Sequence, residues 1–298
     1  MLKQKTLKVK SKTEIFTDHG IEYNPITGKI KSPLGWVNLV LVDGNEKIGK
    51  GIYHFSTLPG NFEYHINIAL IQKEKISENK KSASFGKPVK YTALDEENPV
   101  FIDVNGTCVC NCVGCYAMTG NYNYDTTQAY LGIRTYLAWY HIKFLEAAIS
   151  AQIEAEKIGY IRIHASGDFC SEEYATMWKR IATKYCNVVF WTYTKIKEYE
   201  TLFDGLDNAN IVKSIIPGKG KNYGHCDYVL ALYEFLKSIG KTVYICRCGI
   251  DKKQHCTNCK GCSKNEYVLF IEHSTEYKAE KDPLFPILKK IIESQEIQ

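Results

Sequence analysis

The sequence predicts an α/β protein built on a parallel sheet, arranged either as a partial barrel or as an open sheet. From residue 125 onward, apolar strand segments alternate with helical segments, and this alternation is typical of parallel sheets. Short turn-separated strands precede this part of the chain, and closely spaced cysteines follow it. We therefore divide the chain into a small β-rich N-terminal region with a linker (1–98), an α/β core (99–245) and a cysteine-rich extension (246–298).

Composition excludes several classes of protein. The chain has 298 residues, 45% hydrophobic content and 8 prolines, which indicates a globular rather than a disordered protein. Its net charge of +5 allows a nucleic-acid partner without marking a dedicated nucleic-acid binder. No signal peptide or spanning segment is visible, so we expect a cytoplasmic protein that does not bind membranes. In a reducing compartment its twelve cysteines are not expected to form disulfides.

The N-terminal region is predicted to contain short strands. Turn signals separate apolar runs up to about residue 75, and the Lys/Ser/Glu-rich segment 72–98 is predicted to be a solvated connection. The apolar run Val100–Ile102 predicts a strand that leads into the first cysteines.

The core begins with a long predicted helix. Asp125 and Gln128 have the spacing of a capping box, and Gly159 is a suitable helix end. The predicted strands that follow are Tyr160–Ser166, Val188–Thr194, Ile211–Ile216 and Thr242–Cys246. The predicted helices between and after them are Glu172–Tyr185, Glu198–Leu206 and Tyr228–Ile239. Four strands are too few for a closed eight-stranded barrel, and in either architecture the chemistry belongs at their carboxyl ends.

The late cysteine set is Cys256-x2-Cys259-x2-Cys262, with Cys246 and Cys248 upstream. Three thiolates at this spacing can wrap one face of a 4Fe–4S cube while a remote cysteine completes the site. Either upstream cysteine can supply the fourth ligand. A closed zinc site made of four thiolates is the alternative.

The early set contains Cys108, Cys110, Cys112 and Cys115. The spacing Cys108-x3-Cys112-x2-Cys115 resembles the radical S-adenosylmethionine (SAM) motif, and the resemblance implies a 4Fe–4S cube with one iron open to SAM. The sequence departs from that motif at Gly114, where an aromatic residue is usual. Cys110 is an additional thiol that can close the fourth iron, and zinc bound by all four thiols is a further alternative.

A glycine-containing turn follows the first core strand. In Ser166-Gly167-Asp168, the resemblance to radical SAM proteins implies a contact with the amino group of SAM, with Asp168 as the acceptor. The alternative is a strand-to-helix turn in which Gly167 supplies backbone freedom and Ser171 caps the next helix.

Ordered motifs along the chain resemble one family. Cys115-Tyr116-Ala117, then Ile163–Phe169, then the late cysteines before Phe270–His273 are similar to the phage and mobile-element "gene product 88" family, over roughly residues 50 to 275. The layout of that family implies a radical-SAM-like iron–sulfur protein and little about its substrate.

Other candidate residues carry weaker signals. His164 and His255 lie near strand ends or cysteines and are expected to be structural or metal ligands. Tyr193 and Lys195 can meet a substrate at a strand end, and the basic loop Pro217–Lys221 can bind phosphate or remain a solvated turn.

Together these features predict a radical-SAM-like enzyme with a catalytic and an auxiliary 4Fe–4S cluster, an unknown substrate and a reductant protein as partner. The alternative is a non-enzymatic zinc or iron–sulfur protein of a mobile element that binds nucleic acid.

Overall fold

The structure is a computed structural model that describes residues 9–44, 48–109, 115–214, 223–247, 256–259, 261–271 and 279–295. Its helices are α1 (Lys12–Asp18), α2 (Asp125–Tyr140), α3 (Ile142–Glu156), α4 (Glu172–Lys184), α5 (Cys226–Ser238), α6 (Cys256–Cys259) and α7 (Phe285–Ser294). Its strands are β1 (Tyr23–Asn24), β2 (Lys29–Ser32), β3 (Gly35–Val37), β4 (Val42–Asp43), β5 (Tyr53–His54), β6 (Glu63–Asn67), β7 (Leu70–Ile76), β8 (Pro88–Leu94), β9 (Phe101–Asn105), β10 (Tyr160–Arg162), β11 (Val189–Thr194), β12 (Ala209–Lys213), β13 (Tyr223–Gly224), β14 (Val243–Ile245) and β15 (Tyr267–Ile271).

The central sheet has the strand order β12-β11-β10-β5-β4. Strands β5, β10, β11 and β12 run parallel to one another, and the edge strand β4 is antiparallel to β5. Neighbouring parallel strands follow one another in chain order. Helices α2 and α3 lie between β5 and β10, and α4 lies between β10 and β11, whereas only the 3-10 helix Lys197–Tyr199 lies between β11 and β12, where a helix over Glu198–Leu206 was predicted. The mixed α/β class and the parallel core are thus confirmed, and the described residues form several small sheets without a closed barrel.

A second parallel group continues from the β12 edge. The backbone N–H of Lys213, the last residue of β12, donates to the carbonyl of Glu266 at 2.8 Å, which places β15 beside the end of β12. Strand β15 pairs in parallel with β14 on one side and with β13 on the other. The cysteine-rich extension is therefore joined to the core sheet.

The two faces of the central sheet are different. Ile161 and Phe190 point towards the helices and belong to the main hydrophobic core, together with Trp178 of α4. Because side chains alternate along a strand, the intervening residues point to the opposite face. That face carries Tyr160, Val189, Trp191 and Tyr193, and side chains from the late cysteine segment pack against it; we call it the cysteine face.

The long predicted helix is two helices. α2 ends at Tyr140 and α3 begins at Ile142, because His141 leaves the helical conformation at φ −138°. The predicted capping box is wrong: no side chain caps α2, and the Gln128 side-chain amide instead donates to the carbonyl of Tyr122 at 2.6 Å. The end predicted at Gly159 is also wrong, since Lys157 takes the left-handed conformation at φ 52° and terminates α3.

Other boundaries agree more closely with the sequence. The strand predicted before the first cysteines is β9, which pairs antiparallel with β6. Ser171 caps α4 as expected, with its hydroxyl accepting from the backbone N–H of Tyr174 at 3.2 Å. Helix α1 was not predicted, although Ser11 and Glu14 form a complete capping box at its start.

Residues 72–98 are not a simple connection. Strands β7 and β8 pair antiparallel from Leu70 opposite Leu94 to Ile76 opposite Pro88. The prediction of a solvated segment is correct for most side chains but wrong for the backbone, because β-forming residues such as Val89 and Thr92 alternate with the charges. No helix in the described part of the chain is long and apolar enough to cross a membrane.

Candidate functional site

The Ser166–Asp168 turn lies where β10 passes towards α4. Gly167 has φ +87°, a conformation that favours glycine, so the prediction that this position needs backbone freedom is confirmed. A methyl group here would also collide with the hydroxyls of Thr57 and Thr107, which hydrogen-bond to each other at 2.8 Å. The turn is therefore held against two other segments of the chain.

The segment after β5 runs beside this turn. The backbone N–H of Thr57 donates to the carbonyl of Ser166 at 3.0 Å, and the Ser166 hydroxyl donates back to the carbonyl of Thr57 at 2.8 Å. Thr107, in turn, accepts the backbone N–H of Asp168 at 3.0 Å. Because Thr107 immediately precedes Cys108, these bonds place the start of the early cysteine set beside the turn.

Asp168 connects the ends of two neighbouring strands. One carboxylate oxygen accepts from the Thr194 hydroxyl and from the backbone N–H of Phe169, both at 2.8 Å. The other accepts the backbone N–H of Lys195 at 2.9 Å. Burial raises the pKa of this carboxyl to about 6, although all three hydrogen bonds and the charge of Lys195 oppose the rise. A carboxylate oxygen has two acceptor positions, so the second oxygen can take one further donor.

Cys108 is a partly buried thiol next to this carboxylate. Its backbone N–H donates to the carbonyl of Gly60 at 3.0 Å. Burial is the main cause that raises the pKa of its thiol to about 12; the nearby charges of Asp168 and Cys115 add to the rise, and Lys195 opposes it. Two members of the early set and Asp168 therefore share one neighbourhood. Cys110 and Cys112 lie outside the described residues, as does Gly114.

His164 has a structural environment. Its ring nitrogens lie 2.9 Å from the Tyr174 hydroxyl and 3.3 Å from the Thr192 hydroxyl, and its ring meets Phe169 edge-on. Complete burial lowers its pKa to about 3, so the ring is neutral at physiological pH. Of the two roles considered for this histidine, the geometry favours that of a hydrogen-bonded core residue.

The late cysteines pack against the cysteine face. Cys256 and Cys262 contact the group that includes Trp191, while Cys246 and Cys259 belong to a neighbouring group centred on Val212. Cys256 and Cys259 stand at opposite ends of a single helical turn, a spacing that places both on one side of it. Four of the five late cysteines are thus brought to one side of the sheet, and Cys248 lies outside the described residues.

Two tyrosines hydrogen-bond to these thiols. The Tyr193 hydroxyl donates to Sγ of Cys262 at 2.8 Å, and the Tyr244 hydroxyl lies 3.1 Å from Sγ of Cys259. The Tyr244 ring also covers Gly261 so closely that a β-carbon there would overlap it. The glycine therefore allows the cysteine segment to approach the aromatic ring.

The electrostatics around Cys262 show how close the thiols are to one another. Burial raises the pKa of Cys262 to about 12, and the neighbouring Cys256 and Cys259 thiols raise it further. The Tyr193 hydrogen bond and the positive charge of Arg162 oppose the rise. Arg162 itself lies over the Tyr193 ring, with its Cζ 5.1 Å from the ring centroid. These two side chains favour the thiolate form that a metal ligand requires.

Sequence reasoning missed the residue that anchors this segment. The Asn210 side-chain amide, from β12, donates to the carbonyls of Cys262 at 2.8 Å and of Asn265 at 2.9 Å. Asn265 then donates to the carbonyl of Gly261 at 2.9 Å. Asn210 stands just before the predicted strand Ile211–Ile216, and no local signal in the sequence marks it as a partner of Cys262.

The described thiols do not converge on one point. Within the described ranges, no three His, Cys, Asp or Glu side chains form a group that could hold a metal ion. The four thiolates of a 4Fe–4S cube each bind a different iron and stand farther apart than four ligands of one zinc ion. Among the other candidates, His255 and the loop Pro217–Lys221 lie outside the described residues.

Fold and site together define an α/β protein whose parallel sheet carries thiols at its carboxyl edge and on its cysteine face. The sequence model of the family described as gene product 88 matches residues 95–231. The match agrees with the resemblance carried by the ordered motifs, but it is narrower than the expected span. It contains the early set and the Ser166–Asp168 turn and leaves out the late set. No curated protein and no solved structure matches the chain.

Proposed function

We propose that this chain is an iron–sulfur protein that works as a radical-SAM-like enzyme, with a catalytic cluster at the early cysteine set and an auxiliary cluster at the late set. The observation that carries the proposal is the position of Cys108 beside Asp168, with Cys115 close to Cys108, at the carboxyl edge of the parallel strands. In parallel α/β sheets this edge is where ligands bind.

The catalytic cluster would be held by Cys108, Cys112 and Cys115. Such a cluster, when bound together with SAM, supplies an electron that cleaves SAM and generates a carbon radical. The role of this chain is to place an acceptor next to the open iron. Asp168 suits that role because its second carboxylate oxygen accepts the backbone N–H of Lys195 and has a second acceptor position for an ammonium hydrogen.

Ser166 and Gly167 would contribute through the backbone. The Ser166 hydroxyl is bound to the carbonyl of Thr57, so it is a fixed part of the turn rather than a movable ligand. Gly167 permits the close approach of the turn to Thr57 and Thr107. The turn therefore holds Asp168 at a constant distance from Cys108.

The auxiliary cluster would be held by Cys256, Cys259 and Cys262, with Cys246 or Cys248 as the fourth ligand. Cys246 is buried beside Cys259 and Val212, which supports its candidacy. Hydrogen bonds to cluster sulfurs and a nearby positive charge raise the reduction potential of an iron–sulfur cluster. Tyr193 and Arg162 supply both, so this site is suited to accept or hold an electron.

The direct test is reductive cleavage of SAM. Protein that is purified anaerobically, reconstituted with iron and sulfide and reduced with dithionite is expected to form 5′-deoxyadenosine. Cys112→Ala is expected to abolish the product, whereas Cys186→Ala removes an exposed thiol outside both sets and is expected to leave it unchanged. Wild-type protein that carries iron but yields no 5′-deoxyadenosine would refute the enzymatic proposal.

A further inference from the structure

The β7–β8 ribbon projects from the body of the protein. Its two strands are seven residues each, and β8 contacts α2 near the base. No side chain between residues 70 and 94 belongs to a hydrophobic core cluster of the described residues. An antiparallel pair of this length extends over about 20 Å, at about 3.4 Å per residue. The ribbon is a long exposed element that the proposed cluster chemistry does not use.

Most of the net charge of the protein lies in this ribbon. Residues 70–94 contain six lysines and two glutamates, a net of +4, whereas the whole chain has a net charge of +5. The rest of the chain is therefore close to neutral. The lysines are Lys73, Lys75, Lys80, Lys81, Lys87 and Lys90.

The two faces of the ribbon differ in charge. The strand register places Lys73 opposite Tyr91 and Lys75 opposite Val89, and the Lys75 ammonium lies 5.1 Å from the Tyr91 ring centroid. On the other face Glu74 is opposite Lys90, so those charges offset each other. The first face, defined by Lys73, Lys75 and Tyr91, carries two lysines and no carboxylate; we call it the basic face.

The tip of the ribbon is ordered by short-range hydrogen bonds. The Asn79 side chain accepts the backbone N–H of Lys81 at 3.0 Å, and the Ser82 and Ser84 hydroxyls lie 2.7 Å apart. Gly86 takes φ +72° and its N–H donates to the carbonyl of Ser77 at 2.9 Å, which closes the turn. The tip lysines therefore stand on a defined turn.

From this arrangement we infer that the ribbon binds duplex DNA, with Lys73 and Lys75 on the phosphates. A two-stranded β-ribbon fits the major groove of B-DNA, and Lys73 and Lys75, two residues apart on β7, can contact phosphates that repeat along the duplex. Single-stranded nucleic acid is bound mainly by several exposed aromatic platforms, and the basic face has one aromatic ring, which already lies beside Lys75. The ribbon contributes affinity and positioning rather than base specificity, because lysine–phosphate contacts carry no sequence information.

The test is fluorescence anisotropy of the full-length protein with a labelled duplex of about 20 base pairs, two turns of the helix. Binding is measured from about 50 to about 200 mM salt for wild type, for Lys73→Gln/Lys75→Gln and for the control Lys289→Gln/Lys290→Gln. The control removes two lysines from α7, at the far end of the sequence. The slope of log K against log salt is negative, and we expect Lys73→Gln/Lys75→Gln to reduce its magnitude by about 1.8, about 0.9 for each lost phosphate contact. The control Lys289→Gln/Lys290→Gln is expected to leave the slope unchanged.

A second variant, Lys80→Gln/Lys81→Gln, probes the tip and is expected to weaken binding in the same direction. All the substituted side chains are exposed, and unchanged thermal unfolding checks that each variant is folded. Equal loss in the ribbon variant and the control would overturn the inference. So would absence of duplex binding by wild type at low salt, or tighter binding to single-stranded RNA or to anionic vesicles than to duplex DNA. The DNA-binding result does not depend on whether the protein cleaves SAM, so the two proposals can fail separately.

Discussion

Gly167→Ala tests the geometry that joins the turn to the early cysteine set. Gly167 has φ +87°, and an L-residue in this region costs about 1–2 kcal/mol. The added methyl group would also overlap Thr57 and Thr107, which are 0% and 2% exposed. Overpacking a buried site costs about 1–3 kcal/mol more. The total expected loss in the free energy of unfolding is about 2–5 kcal/mol.

Gly205→Ala is the matched control for this substitution. Gly205 has φ +85°, almost the same as Gly167, but nothing lies within 4 Å of an added β-carbon. It therefore reports the backbone cost alone, about 1–2 kcal/mol. Urea unfolding followed by circular dichroism measures both variants.

The difference between the two variants isolates the collision with the threonines. Gly167→Ala is expected to lose about 1–3 kcal/mol more than Gly205→Ala, and Thr57→Ala in the Gly167→Ala background is expected to recover part of that difference. Equal losses for Gly167→Ala and Gly205→Ala, within about 0.5 kcal/mol, would refute the close approach of the turn to Thr57 and Thr107.

Three further substitutions test separate contacts. Ser171→Ala removes the cap of α4 and is expected to cost about 1 kcal/mol of stability in urea unfolding. The two carboxylate oxygens of Asp168 accept three hydrogen bonds, one of them from Lys195, and Asp168→Asn replaces one of those oxygens by an N–H₂ donor. The substitution is therefore expected to lower the free energy of unfolding by about 1–3 kcal/mol near pH 7. Tyr193→Phe, a prediction that depends on the proposed function, removes the hydrogen bond to Cys262 and is expected to make the potential of the auxiliary cluster more negative in a redox titration.

The Asp168 prediction has a pH dependence with a definite sign. The folded pKa, about 6, lies above the ordinary aspartate pKa of 3.8, so the folded state holds this proton more tightly than the unfolded state. Its contribution to stability is therefore present below the unfolded pKa and is lost as pH rises through about 6. Asp168→Asn cannot titrate and is expected to lack this component between pH 4 and pH 6, a range set by those two pKa values. A variant with the same pH profile as wild type would contradict the raised pKa.

The control for Ser171→Ala lies in the same helix, and the control for Tyr193→Phe lies in the neighbouring strand β10. Thr183→Ala, in an exposed position of α4, is expected to change stability much less than Ser171→Ala. Tyr160→Phe changes another tyrosine that packs against the cysteine face and is expected to leave the potential nearer to wild type than Tyr193→Phe does. A shift of equal size in both tyrosine variants would contradict the role assigned to the Cys262 hydrogen bond.

The parallel core was predictable because its strands are buried on both faces. Val189–Thr194 forms an almost continuous apolar and aromatic run, and such runs between helices indicate parallel strands. Local signals also located the cap at Ser171 and the left-handed glycine at position 167. Each of these depends on residues close together in the sequence.

The features that were missed depend on distant residues. Composition gave no indication that segment 72–98 pairs with itself, because the stabilising contacts are cross-strand and the charges obscure the alternation. Nothing local marks Asn210 or Tyr193 as partners of Cys262, about 50 and 70 residues away. The resemblance to radical SAM proteins implied that the Ser166–Asp168 turn and the early cysteines serve one site, but the two threonines that join them are visible only in the fold.

The measurement that tests the central claim most directly is iron and acid-labile sulfide in protein purified without oxygen. Two 4Fe–4S clusters predict about eight irons and about eight sulfides per chain. Cys112→Ala and Cys259→Ala are each expected to lower both values by about half, since each removes a ligand of a different cluster. Stoichiometric zinc without iron or sulfide would contradict the iron–sulfur account and would favour a non-enzymatic metal protein instead.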